Sequence, residues 1–303
     1  MKKFIFVLFL LIGLFFVYQY REDIVIFMHD NFINTSDELN LDFQSEYYRD
    51  YNLSYVNTID TLKINSKEEL VDLYYTVINK GATEFKFHCS REYKNCINDV
   101  VYLSEEQTTL SNINNFIHPY NRFSSIKTTY DSLRYVTIEL EKTYSKEQQE
   151  EINKVIDKII KDEIKDEKDH KKMIRIFHDY IINNTKYDKE RADNNIMKYQ
   201  SHTAYGVLLE HFGLCGGYAD ALAIFLDRYN IPNFRVVSEN HIWNAVYLDN
   251  TWYHLDATWD DPILTNGKDT LEYTFFMITT SELEELETNQ HIFNKKVFAE
   301  LDY

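Results

Sequence analysis

Two alternating runs joined by two turn residues restrict this chain more than any other feature of its sequence. His241-Ile242-Trp243-Asn244-Ala245-Val246-Tyr247-Leu248 and Thr251-Trp252-Tyr253-His254-Leu255-Asp256 each alternate as strands do. Asp249-Asn250 between them is a hairpin turn signal. If Leu248 pairs with Thr251, Trp243 falls opposite Asp256. His241, two residues before Trp243 on the same face, is then a diagonal neighbour of Asp256, about 7–8 Å away at Cα. An imidazole and a carboxylate extending toward each other span that gap. The carboxylate accepts from one ring nitrogen and fixes the tautomer, which leaves the other nitrogen for a nucleophile.

Cys215 supplies the candidate nucleophile. It lies in Phe212-Gly213-Leu214-Cys215-Gly216-Gly217-Tyr218-Ala219, where the glycines permit a tight turn and close approach of a substrate. Tyr218, Leu222, Phe225, Leu226 and Tyr229 then recur at helical spacing, so a helix begins at or near Cys215, with the thiol on the apolar side. A thiol at a helix N-terminus meets the positive end of the macrodipole, which favours the thiolate. The plain alternatives are a buried structural cysteine, a structural strand histidine and a carboxylate that caps a turn. The order of helix-start thiol, strand histidine and facing carboxylate points instead to acyl transfer.

These elements, together with Gln200-Ser201-His202-Thr203-Ala204-Tyr205-Gly206-Val207-Leu208 and Trp252-Tyr253-His254-Leu255-Asp256-Ala257-Thr258-Trp259-Asp260-Asp261-Pro262, resemble the bacterial transglutaminase-like superfamily over about residues 170–290. Phe177-His178-Asp179-Tyr180-Ile181 and Lys186-Tyr187-Asp188 resemble its lead-in helix and that helix's end. The resemblance implies an α+β, papain-like core in which a cysteine-bearing helix packs on an antiparallel sheet. It places Cys215, His241 and Asp256 at the positions of a Cys-His-Asp triad. The implied activity is acyl transfer on peptide or protein amides through a thioester, as a peptidase, an amidase or a cross-linking transglutaminase. The alternative is a silent module that binds peptides or surface proteins, since active and inactive members share these motifs. The backbone N–H of Cys215 is one expected oxyanion donor. Gln200, His202, Gly216 and Trp243 are further candidates for oxyanion or substrate contacts. No cofactor and no metal are expected.

Composition bounds the partners. Lys plus Arg total 32 against 49 Asp plus Glu, a net charge of −17, and no basic patch interrupts it, so no nucleic-acid partner is expected. Met1-Lys2-Lys3 and the apolar run Phe4–Tyr18 read as a signal peptide or signal anchor over 1–21. The run is short for a spanning helix, and no A-x-A site follows it. With Lys2 and Lys3 held inside, the remaining chain is expected outside, anchored to the membrane or secreted, with cell-wall or surface proteins as candidate substrates.

Residues 22–52 read as a tether, 53–144 as a small α+β accessory domain, and 145–303 as the transglutaminase-like domain. In the accessory region Ser66 and Glu69 signal a capping box, and Leu70, Leu73, Tyr74, Val77 and Ile78 share a helical face. Phe85-Lys86-Phe87-His88-Cys89 and Val136-Thr137-Ile138-Glu139-Leu140 alternate as strands. Ser104 and Gln107 open a second helix, and the expected order is strand, helix, strand, helix, strand.

Weaker signals remain. Cys89 and Cys96 are expected to form a local disulfide outside the cell. With His88 they offer too few ligands for a metal. His211 stands four residues before Cys215, but Gly213 breaks any helix between them. His254 faces the same side as Asp256 and competes as base, though it lies nearer the hairpin turn. Asp260-Asp261 offer calcium ligands or, more simply, a turn before Pro262. Trp243, Trp252 and Trp259 read as core.

Overall fold

The computed structural model describes residues 2–28, 44–61, 64–90, 92–261 and 272–302. The apolar N-terminal run forms α1 (Lys2–Gln19), and α2 (Arg21–Met28) follows it. Leu11, Leu14, Phe15, Phe16 and Val17 are exposed. Among the described residues no helix is long and apolar enough to cross a membrane.

The next region begins at α3 (Lys67–Asn79). The Ser66 hydroxyl accepts from Glu69 N at 3.2 Å, while the Glu69 carboxylate takes Asn65 N–H at 2.6 Å, one residue before the expected partner. Then come β1 (Glu84–His88), α4 (Cys96–Glu105), α5 (Gln107–Asn115), β2 (Phe123–Tyr130) and β3 (Tyr135–Lys142). β3 lies between β1 and β2 and is antiparallel to both. Among the described residues no strand precedes α3 in this sheet, and β2 takes the third place. Ser104 does not open a helix either. It lies inside α4, its hydroxyl turned back to Val101 O at 2.7 Å. Glu106 caps α5 instead, accepting from Thr108 N and Thr109 N at 3.0 Å each. A disulfide joins Cys89, just after β1, to Cys96, the first residue of α4.

The C-terminal region holds α6 (Lys146–Ile159), a π turn over 160–164, α7 (His170–Asn184), β4 (Lys186–Tyr187), α8 (Lys189–Asn194), β5 (Phe212–Gly213) and α9 (Cys215–Arg228). After these come β6 (Asn233–Val237), β7 (Ile242–Leu248), β8 (Thr251–Leu255), β9 (Phe276–Ile278) and α10 (Thr280–Glu285). β6-β7-β8-β9 is an antiparallel sheet, and α9 packs on β6 and β7. The fold is α+β, with the cysteine-bearing helix on the sheet.

Because strand side chains alternate between faces, this sheet serves two cores. Phe234, Val236, Trp243 and Ala245 join one that includes Leu73, Phe85, Phe116 and Phe298. Val246, Leu255 and Phe276 join the other, with Phe177 stacked on Phe225 at 4.2 Å. The 53–144 region therefore shares a core with the sheet that carries the site.

Of the expected 22–52 tether, residues 29–43 lie outside the described residues, and the stretch from Tyr47 to Leu53 is docked. Arg49 is buried with its guanidinium on Asp227 (2.6 Å), Asn233 (3.0 Å) and Phe116 O (3.1 Å). Tyr51 donates to Asn233 O at 2.6 Å. A second buried cluster centres on Asp220 of α9. It accepts from Arg122, from Arg235 at 3.1 Å and from Tyr144 at 2.6 Å. Hydrogen bonds of this kind explain how so acidic a chain buries arginines.

Candidate active site

The hairpin register sets the site. Leu248 pairs with Thr251 and Asn244 with Leu255, and Asp249 and Asn250 both have positive φ, as the tight turn requires. Beyond Leu255 the ladder passes to another partner, with Asp256 N–H donating to Phe275 O at 3.1 Å. Asp256 thus leaves β8 with its carboxylate free to meet His241, whose Nε2 lies 2.5 Å from Oδ2. Both residues are buried.

Cys215 opens α9, and Leu214 before it has extended backbone. Gly217 and Tyr218 N–H donate to Leu214 O, at 2.8 and 3.1 Å. The amides of Cys215 and Gly216 are thus the first-turn donors not spent on that carbonyl. Leu214 N–H in turn donates to Ser201 O at 2.8 Å, and the Ser201 hydroxyl bonds Asp188. A Cβ on Gly217 would lie 2.4 Å from Ser201 O and 2.8 Å from Thr203 O, so the 201–203 loop reaches the cysteine helix only because position 217 has no side chain. Gly217→Ala is expected to cost about 1–3 kcal/mol through overpacking. Urea unfolding would show this as a lowered midpoint with an unchanged slope.

Cys215 lies near enough to His241 to act on its charge. Nε2 is occupied by Asp256, so Nδ1 is the ring nitrogen left for sulfur. Burial opposes a charge on His241, but the Asp256 carboxylate and then Cys215 outweigh it and push His241 up to about 9. Burial likewise opposes the charge on Asp256, and His241 and His291 override it, holding the carboxyl well below its usual range. Both shifts favour an imidazolium beside a carboxylate. Tyr187, half-buried, feels burial first and the charge of Cys215 next, so its hydroxyl is pushed up.

Three further donors reach Asp256. Thr258 N–H and Trp259 N–H donate to Oδ1 at 2.9 and 3.2 Å. His291 Nε2 lies 2.9 Å from Oδ2, the same oxygen that His241 uses. Reading of the sequence missed His291. It is a lone histidine in a short 3-10 turn over Asn289–His291, and no spacing links it to residue 256. Also unforeseen is a buried brace from α7. His178 has Nδ1 3.1 Å from Asp179 and Nε2 3.1 Å from Asp260, whose N–H donates to Asp256 O. Burial pulls the His178 pKa down, but these carboxylates leave it raised.

The other candidates fall elsewhere. Gln200 is turned to Gln148, whose Nε2 donates to its Oε1 at 2.6 Å. The His202 carbonyl lies against Gly216, 3.2 Å from where a Cβ would stand. The His202 ring is depressed by burial and by Arg191. Trp243 is core, its ring stacked beside His241 at 5.7 Å and its Nε1 donating to His254 Nδ1 at 2.9 Å. That bond occupies His254, and burial, then the charge of His291, push it down to about 3, so it does not compete as base. His211 is a positive-φ residue whose carbonyl accepts from Lys186. His88 Nε2 faces Leu133 O, and the disulfide occupies both neighbouring sulfurs. Asp260 is spent on His178 and Phe275 N, and Asp261 accepts from Tyr218 at 2.6 Å. Pro262 lies outside the described residues.

His241, Asp256 and His291 are the described residues whose donor atoms converge enough for a metal ion, within 4.8 Å of one another. A zinc ion stands about 2.0–2.2 Å from each nitrogen and oxygen ligand. Here both imidazoles approach one carboxylate oxygen at hydrogen-bond separations, 2.5 Å from His241 and 2.9 Å from His291.

Residues 158–257 match the model of the transglutaminase-like superfamily, a span that holds α7, the Cys215 helix, His241 and Asp256. That segment is similar to the transglutaminase-like superfamily. No curated protein matches the chain. Among solved structures, one described as a TGase is 16% identical, with TM-score 0.34, over 60% of this chain and 64% of that chain. Another, from Cytophaga hutchinsonii and provisionally described as a cysteine protease, is 16% identical, with TM-score 0.27, over 44% of this chain and 61% of that chain. The chain spans less than two thirds of either.

Proposed function

We propose that this protein transfers acyl groups from peptide or protein amides through Cys215, His241 and Asp256. One observation carries the reading: a helix-start thiol lies near enough to act on the charge of an imidazole whose Nε2 is held by a buried carboxylate. The sulfur attacks the amide carbonyl, and the C–S bond forms as the C–N bond breaks. The proton held on His241 Nδ1 goes to the leaving amine. Water or a primary amine, deprotonated by His241, then attacks the thioester and expels the thiolate. Asp256 holds the ring and balances the imidazolium. The amides of Cys215 and Gly216 are the donors available to the oxyanion.

The disulfide supports an oxidising compartment. With the apolar N-terminal segment as signal peptide or anchor, the proposed substrates are cell-wall or surface peptides and proteins.

Trapping tests the reading. Peptides containing Gln and Lys would be incubated with the full chain, quenched in acid, and Cys215 examined by mass spectrometry. An acyl adduct is expected on Cys215, absent in Cys215→Ala and formed on the order of 10³-fold more slowly in His241→Ala. An unacylated Cys215 that iodoacetamide modifies equally fast with and without His241 would overturn it.

A further inference from the structure

Resting on that reading, we propose that His291 is a fourth member of the site. It is a positioning residue that shares one oxygen of Asp256 with His241 and so sets the charge and orientation of the acid behind the base. The two imidazoles approach the same Oδ2, at 2.5 Å from His241 and 2.9 Å from His291. A carboxylate with no proton only accepts, so His291 Nε2 must donate. Its other nitrogen is anchored, with Nδ1 2.7 Å from the Thr288 hydroxyl. The ring is clamped by stacking on Phe275 (4.7 Å) and by edge contacts with Trp243 (4.8 Å) and Trp259 (4.9 Å).

This arrangement does more than fill space. A buried carboxylate facing one imidazole concentrates its charge there and pins the proton. A second N–H on the same oxygen draws off part of that charge and keeps His241 nearer the range in which it both gives and takes protons. The backbone donors Thr258 and Trp259 hold the opposite oxygen, so Asp256 stays in place when His291 is changed. Other titratable groups around this set are Cys215 at His241 and His254 beside Trp243, with Asp260 behind Asp256. Glu284, Glu287 and Lys295 line, with His291, a cavity of about 310 Å³.

The test follows the His241 ring by NMR titration in the full chain, beside alkylation of Cys215 by iodoacetamide. In His291→Phe, which keeps the aromatic packing and loses the donor, the His241 titration is expected to move up by at least half a pH unit, about threefold in proton affinity. His291→Gln restores an N–H near the same place and is expected to titrate like the parent. Thr288→Val, which frees His291 Nδ1, should move His241 in the same direction as His291→Phe, and it stands in if the latter fails to fold. An unmoved His241 in folded His291→Phe or Thr288→Val overturns the inference, as does an equal shift in the Phe and Gln variants. These outcomes stay distinct from failure of the proposed function. That failure would show as a Cys215 whose alkylation in the parent protein ignores His241→Ala, whatever His241 titration reports.

Discussion

Asp256→Asn is expected to slow acylation of Cys215 by an activated ester on the order of 10⁴-fold, the scale found when a triad base is left in the wrong tautomer. The reason lies in donor arithmetic. Asp256 offers two acceptor oxygens, one to His241 and His291, the other to the amides of Thr258 and Trp259. Asparagine has one oxygen, so whichever way it turns, an NH₂ group confronts two donors. Turned one way, His241 loses its acceptor and the reason to hold its proton on Nε2; turned the other, the amides of Thr258 and Trp259 lose theirs and the side chain is pushed out of place.

The same substitution should change how stability depends on pH. The His241 pKa is raised on folding, so its share of stability is complete below the unfolded value of about 6.5 and is lost as pH climbs through about 9. The Asp256 pKa is lowered, so its share is complete above about pH 4 and is lost on acidification through its depressed folded value. The parent protein should lose stability on both sides of a window of roughly pH 4 to 6.5. In Asp256→Asn the loss between about pH 6.5 and 9 should largely vanish. Urea midpoints measured across pH give the answer, and an unchanged alkaline slope would contradict the ion pair.

The second large effect is structural. Asp220→Leu is expected to destabilise the fold by about 3–5 kcal/mol, the cost of breaking a buried ion pair from one side. Asp220 is fully buried five residues after Cys215 on the same helix, and it is the shared acceptor of Arg122, Arg235 and Tyr144. Without it the buried Arg235 and the partly buried Arg122 are left facing each other. Burial and then the charge of Arg122 already lower Arg235, to about 9. Adding Arg235→Leu should recover part of the loss, since an apolar pair is cheaper than an orphaned charge. If the single variant unfolds at the parent's urea concentration, the cluster contributes nothing to anchoring α9.

Much of the site was legible because its rules are local. A two-residue turn with positive φ sets the register, which carries residues 241 and 256 to the same end of the hairpin. Helical spacing after Cys215 fixed where α9 begins, and most of the quoted motifs fall within the matched segment 158–257. Local rules misled in the first half, where Ser104 looked like a cap and Glu106 is the cap.

His291 was invisible for the opposite reason. It meets Asp256 across 35 residues, through a turn with no periodicity, and its place depends on how β9 and the following turns return along the sheet. Arg49 reaches Asp227 and His178 reaches Asp260 in the same way, by chain path rather than by spacing. Periodicity and turn chemistry act within a few residues, so the order of helix-start thiol, imidazole and carboxylate could be read directly from the chain. Which distant imidazole completes a buried carboxylate is a matter of packing, and only the folded molecule decided it.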